Sequence, residues 1–505
     1  MVGLISTGSN YIFMIMCAVY AVSCFTVFLP TSDEVQDKRM NRQQLFMFIF
    51  HFICYGVLFL KTQELKVIFL YVGQAVFIHI LLTIYKHLYS DCSRIMMNNM
   101  CFLLIIGFVM LTRIDFGIAL RQFIIVIVAS LLCLVIPFFV NKATWIVKLR
   151  WVYGIIGFLL LASVFVIGST KNGSTNWISF GGFAIQPMEF VKIAFVFFLA
   201  SVLQKATDFK MIMITSLFAA AHVMVLILER DLGGALLYFV IYMFMCYVAT
   251  CRIVYIGGGL GAGILAGSAA YKIFAHVRAR FAAWHDPWSI IQGRGYQITQ
   301  SLFAIGTGGW VGLGLTQGRP TDIPVVESDF IFSAIAEEFG VFFAICLIFI
   351  YLAIFIHFLQ IAMDVRNRFY KLTAYGFAVC FIFQVFLNIG GVTKFIPSTG
   401  VTLPLISYGG SSITSTLIIF AIMQGIFMIA YKEDDDYERE PEKQPENRQE
   451  ESEGRGVHYV SRGQGPYRGP RPWNAAERAA QEEEESRRGG GSYQSNRGPV
   501  RTRYH

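Results

Sequence analysis

The chain alternates between long apolar runs and short polar connections. Runs long enough to cross a hydrocarbon core about 30 Å thick fall near 11–30, 44–60, 66–84, 98–112, 121–140, 151–168, 188–204, 211–228, 232–249, 253–274, 329–357, 372–394 and 406–431, thirteen in all. The pattern predicts an all-α polytopic membrane protein. Residues 11–30 resemble a signal peptide in length, but no Lys or Arg precedes them and further apolar runs follow closely, which fits a retained membrane helix.

Two stretches break the rhythm. Residues 275–328 are too long for an ordinary connection; their aromatics, glycines and arginines suggest re-entrant or interfacial segments lining a cavity. In "TKFIPSTGVTLPLISYGGSS", 393–412, Pro397, Pro404, Gly400, Gly409 and Gly410 predict a broken helix. Irregular backbone at membrane depth is tolerated only where it is buried in protein or lines a cavity, a feature shared with transporters. From Lys432 onward the sequence turns rich in Glu, Arg, Gly, Pro and Gln, and 432–505 reads as a disordered cytoplasmic tail.

Composition supports the membrane reading: 55% of the 505 residues are hydrophobic and 15% charged, against about 25% charged in soluble domains. The net charge of +8 is spread over short loops and the tail, a topology signal that argues against nucleic-acid binding. Placement of Lys and Arg favours an external N-terminus and an internal C-terminus, so that 275–328 and Asp329 face outward. The ten cysteines form no CxxC pair and the nine histidines no HExxH. A permanent zinc site is not expected, and a carboxylate-held divalent metal ion is left open.

Several polar groups need a reason to stand among these runs. In "NWISFGGFAIQPMEFVKIAF", Pro187 suits a first helical turn, and Glu189 and Lys192, three apart, share a face. They form either a structural ion pair or, as ionisable groups in a membrane segment, a functional one. Trp177 just before them is an interfacial anchor or a platform for a sugar or lipid headgroup. In "LERDLGGALL", Arg230 and Asp231 read as a satisfied turn. Arg278 and Arg280 suit phosphate through bidentate hydrogen bonding, whereas the nearby "GTGGWVGLGL" matches no nucleotide-binding motif. In "VESDFIFSAIAEEFG", continuous helix would set Glu337 about 12 Å beyond Asp329 and roughly 80° around the axis, so the acids are not one cluster. Asp329 by itself reads as a helix N-cap.

With "NWISFGGFAIQPMEFVKIAF", "DLGGALL", "GRGYQITQSLFAIGTGGWVGLGL", "ESDFIFSAIAEEFG" and "GVTLPLISYGGSS" in this order, residues 98–431 resemble the SEDS family of FtsW/RodA/SpoVE-type cell-wall polymerases. The resemblance implies a ten-helix core (98–431) preceded by about three accessory membrane helices (1–97). It implies polymerisation of lipid II on the outer face of the cytoplasmic membrane, beside a class B penicillin-binding protein, with Asp329 as the essential acid. Trp177, Glu189, Lys192, Glu327 and Ser407, within the matching stretches, become candidates for substrate contact alongside Arg278 and Arg280. Glu327 stands where relatives often carry His, Asn176 where an Arg is common and Arg230 where a Pro is common, which leaves division, elongation and sporulation subtypes open. A flippase of lipid-linked precursor and a membrane scaffold are the rival readings.

Overall fold

The structure is a computed structural model that describes residues 2–439 except 28, 30–32, 143, 172–173, 181–182, 206–207 and 294. Among these residues twelve helices are long and apolar enough to cross a membrane. Their order follows the apolar runs: α1 (Val2–Thr26), α2 (Asp33–Thr62), α3 (Leu65–Leu88), α4 (Arg94–Ile114), α5 (Phe116–Cys133) continued by α6 (Ile136–Lys142), and α7 (Arg150–Ala162) continued by α8 (Val164–Ile167). A three-stranded antiparallel sheet follows, β1 (Ser169–Lys171), β2 (Ser174–Phe180) and β3 (Phe183–Ile185), in the order β1-β2-β3. The sequence reading had no strands here.

Next come α9 (Pro187–Leu203), α10 (Phe209–Leu228), α11 (Leu232–Thr250), α12 (Ile253–Ile273), α13 (Ala275–His285), α14 (Tyr296–Gly308), α15 (Ile331–Phe339), α16 (Val341–Asp364), α17 (Arg368–Val392) and α18 (Gly410–Arg439). At 17 residues α9 falls just below spanning length, yet it is buried along most of its surface against α7, α17 and α18. The chain is a multi-pass helical membrane protein.

Burial is graded by position in the bundle. Helix α4 is enclosed over most of its length, wrapped by α2, α5, α15 and α16. Helix α12 stands at the other extreme, with no buried side chain. In a hydrocarbon solvent an exposed Leu or Ile costs nothing, so helices hold together through packing and polar cross-links. The first two helices pack, and α1 adds polar cross-links. Phe13 and Phe50 pack with Phe339 and Phe343. The Asn10 side-chain amide donates to the carbonyls of Glu338 (3.1 Å) and Val311 (3.3 Å).

Two differences from the sequence reading stand out. The run 329–357 is not one helix: it breaks at Gly340, φ +91°, between the nine-residue α15 and the membrane-spanning α16. The glycine-rich stretch supplies the reason, because it packs its backbone against that joint. Leu313 and Gly314 N–H donate to the carbonyls of Glu337 and Glu338, both at 3.0 Å, and Val341 N–H donates to Gly309 O at 2.9 Å. A Cβ at Gly312, φ +86°, would lie 2.4 Å from Glu338 O. The glycines therefore serve backbone-to-backbone contact and line no phosphate cradle. Residues 432–439 continue α18 where a disordered tail was expected, and 440–505 lie outside the described residues. All ten cysteines are free thiols, nine of them buried.

Gly312→Ala is expected to lower thermal stability in detergent by more than 1 kcal/mol, since positive φ alone costs a Cβ-bearing residue about 1–2 kcal/mol before the carbonyl clash. Gly306→Ala, where an added Cβ meets nothing within 4 Å, is the matched control and should leave the melting temperature unchanged or raise it.

Candidate active site

Asp329 sits in the turn that precedes α15. The cap position of that helix is Phe330, and no side chain caps it, so the N-cap role available from sequence is not the one Asp329 fills. Its backbone is held from three directions. Asn388 of α17 donates to Asp329 O (2.9 Å) and to Val401 O (2.7 Å). The Ser407 hydroxyl bonds the preceding carbonyl, Ser328 O, while accepting from Leu403 N–H (2.9 Å). Tyr408 N–H donates to Glu327 O at 2.7 Å. The broken-helix segment 393–409 thus clamps the acid-bearing turn.

The half-buried Asp329 carboxylate lines a cavity of about 440 Å³. Its walls come from α13 (His276, Arg280 and Trp284), the start of α14 (Gln297 and Ile298), the α10–α11 turn (Arg230), and Ile396, Ser398 and Gly400. A Cβ built on Gly400 would stand 3.6 Å from Asp329 Oδ2, so the bare glycine borders the carboxylate. Arg280 is fixed by donating to Ser398 O at 3.0 Å. Burial pushes the Asp329 carboxyl up to about 6; Ser328 and Arg280 pull it down, and Glu327 and Asp231 add repulsion. Burial and the neighbouring Arg230 and Arg280 push His276 below its usual range, leaving it neutral near pH 7.

The other predicted residues fall outside this cavity. Arg278 is exposed and turned back onto α12, donating to Lys272 O (2.7 Å) and Tyr271 O (3.3 Å). Glu189 and Lys192 form a sealed ion pair, 3% and 1% exposed. Lys192 also donates to Gln384 Oε1 (2.9 Å), and Ser415 Oγ donates to Glu189 Oε2 (2.9 Å). Because Gln384 in turn donates to Thr402 O (3.2 Å), this network braces the clamp and does not touch the cavity. Ser407, 3% exposed, is likewise a positioning group. Trp177 is half-buried on β2. Glu327 is half-buried and engages the clamp through its backbone.

Sequence reasoning missed Arg230 and His276 as cavity residues. Asp231 is the satisfied turn it appeared to be: it caps α11 by accepting from Gly234 N–H (2.8 Å) and also accepts from Asn176 Nδ2 (2.9 Å). Arg230 beside it takes a left-handed backbone, φ +65°. Glu337 and Glu338 stay apart from Asp329. Glu338 pairs with Arg113 at 2.9 Å, and Glu337 accepts from Arg319 N–H at 3.0 Å. No group of three or more His, Cys, Asp or Glu placed to hold a metal ion occurs among the described residues.

Comparison with known proteins adds identity to this geometry. The family model for the FtsW/RodA/SpoVE cell cycle proteins matches residues 94–432. The chain belongs to the FtsW/RodA/SpoVE family. The match opens at the first residue of α4 and ends within α18, taking in nine helices of membrane-spanning length together with α9 and leaving α1–α3 before it. Among relatives, peptidoglycan glycosyltransferase RodA of Mycobacterium tuberculosis is 35% identical, over 57% of this chain and 66% of its own length. Stage V sporulation protein E of Bacillus subtilis is 34% identical, over 54% of this chain and 77% of its own. The chain thus spans 58–66% of the length of the mycobacterial RodA proteins. Of solved structures, a chain from work on the coordination of polymerization and crosslinking by a peptidoglycan synthase complex superposes with a TM-score of 0.56 at 26% identity, covering 67% of this chain and 97% of that one. RodA of Thermus thermophilus shares the fold, with a TM-score of 0.50 at 24% identity, covering 68% of this chain and 99% of that one.

Proposed function

We propose that the protein is an inverting peptidoglycan glycosyltransferase that polymerises lipid II into glycan strands. The observation that carries this reading is one carboxylate facing a cavity that also holds two guanidiniums, within a chain of the FtsW/RodA/SpoVE family. Asp329 accepts the proton of the acceptor GlcNAc 4-hydroxyl as that oxygen attacks the anomeric carbon of the donor MurNAc. The C–O bond to the diphosphate breaks, and the polyprenyl diphosphate leaves with the bonding pair. Arg280 and Arg230 offset its charge, and neutral His276 offers a hydrogen bond. Asn388 and Ser407 hold the acid in place.

Orientation completes the proposal. Lys and Arg are concentrated at the ends that place the N-terminus outside and the C-terminal tail inside, which turns the cavity outward, toward extracytoplasmic substrate. Residues 98–431 form the catalytic core and 1–97 an accessory unit. The likeness to a chain of a peptidoglycan synthase complex supports a cross-linking partner of the class B penicillin-binding protein type.

The test is reconstitution of the purified full chain with that partner and lipid II, read as polymer on a gel. Polymer supports the proposal; movement of lipid II across vesicles without polymer would instead establish a flippase. A pH profile adds a second check. Only ionised Asp329 is a base, so the rate should fall about tenfold per pH unit below about 6 and level off above it. The sign for stability is opposite. A carboxyl raised above its ordinary value near 3.9 favours the fold while protonated, and that contribution disappears as pH climbs through about 6. Asp231, Glu327, His276, Arg230 and Arg280 all face or bias this carboxyl, so the apparent midpoint belongs to the group.

A further inference from the structure

A second polar cavity, about 320 Å³, opens on the flank of the bundle between α2, α3 and the start of α4. It lies outside the candidate active site: Asp37, Asn41 and Gln44 of α2, His79 and Lys86 of α3, and Arg94 at the first turn of α4 line it, with the apolar Phe48 and Leu82 also in its wall. Elsewhere these helices present Leu45, Phe52, Phe69, Val72 and Val76 outward, as a lipid-facing surface should. Here the same flank turns polar, with Asn41, His79 and Thr83 exposed. Polar side chains facing hydrocarbon are costly unless something polar fills the space.

The charge of the cavity defines that occupant. Arg94 is compensated: it pairs with Asp37 at 2.7 Å and also bonds Asn41. Lys86 takes part in none of the ion pairs among the described residues, so the cavity keeps one uncompensated cation beside a fixed guanidinium. Asn41, Thr83 and His79 add hydrogen-bonding groups to its wall. The helix ends around it carry Lys38, Arg39, Arg42 and His87, the side that the positive-inside rule assigns to the cytoplasm. Basic pockets between membrane helices on that side suit acidic phospholipid headgroups.

We propose that this cavity binds the phosphate headgroup of an anionic phospholipid of the inner leaflet, with Lys86 and Arg94 on the phosphate and Asn41 and Thr83 on the glycerol-side oxygens. The site belongs to α2 and α3, which lie outside the family match, apart from Arg94, where that match begins. It is independent of the polymerase reading.

The test uses the full chain in nanodiscs of phosphatidylcholine with graded phosphatidylglycerol, with co-released lipid counted by native mass spectrometry. The wild type should retain phosphatidylglycerol over phosphatidylcholine. Lys86→Gln, a half-exposed position that should fold normally, should lower that preference about fivefold, the effect of one cation near a charged surface. Lys38→Gln, paired with Glu34 and exposed, should leave it intact. Equal losses in both variants would reduce the effect to diffuse surface charge and overturn the site. Retention unchanged in Lys86→Gln would overturn it as well. Displacement of the lipid by millimolar inorganic phosphate would overturn the lipid assignment in favour of a soluble anion; persistence of the lipid supports it.

Discussion

Asp329→Asn should abolish polymer formation, by at least 10²-fold and up to about 10⁴-fold, the range that a positioned general base contributes, while leaving the protein monodisperse and thermally stable. The substitution is nearly isosteric. The clamp acts on backbone atoms, through Asn388 to Asp329 O, Ser407 to Ser328 O and Tyr408 N–H to Glu327 O, none of which the change removes. Loss of a half-buried carboxylate that favours its protonated form should even raise stability slightly at neutral pH. A structural role predicts the reverse, a lower melting temperature with activity reduced only in proportion. Polymerisation at the wild-type rate by a folded Asp329→Asn protein would remove the base from Asp329. Asp329→Glu, which keeps the base but lengthens it by one methylene beside Gly400, should retain a small measurable rate.

The second large effect is on stability. Lys192→Met should cost about 3–5 kcal/mol, the usual consequence of stranding one member of a buried ion pair, because Glu189 is left inside the bundle without its cation, still accepting from Ser415. The double substitution Glu189→Gln, Lys192→Met should recover most of that loss, since a neutral pair owes no desolvation of charge. Thermal unfolding in detergent separates the two outcomes. If Lys192→Met melts like the wild type, the pair is not a stabilising element. Activity supplies the diagnostic contrast: the double variant should fold yet polymerise more slowly, because Gln384 loses its Lys192 contact and holds Thr402 less firmly.

Much of the helical architecture was legible in sequence because spanning length and apolarity are local properties; the apolar runs map onto helices in order. What failed was non-local. The break at Gly340 is imposed by a loop some thirty residues earlier, and an apolar run carries no mark of it. The small sheet has two strands of only three residues, too short for an alternating pattern to register. In the site, Asp329 was visible as an acid beginning an apolar run, while Arg230 and His276 reach the cavity because the fold brings the α10–α11 turn and α13 to its wall. One miss was avoidable. Two residues along a helix are about 200° apart, so Arg278 and Arg280 could never have faced one cavity together; α13 turns Arg280 inward and Arg278 out.

Asn10 gives the first helix a significance beyond packing. Its amide supplies donors to two carbonyls, one on α15 just beyond the acid-bearing turn and one on the loop that breaks the helix after it. The Glu338 carbonyl also accepts from Gly314 N–H, so α1 adds a second donor where the glycine-rich loop meets α15. Without α1, Val311 O would turn to water or to another donor, and the joint that follows the acid-bearing turn would lose a tie that comes from outside the family core.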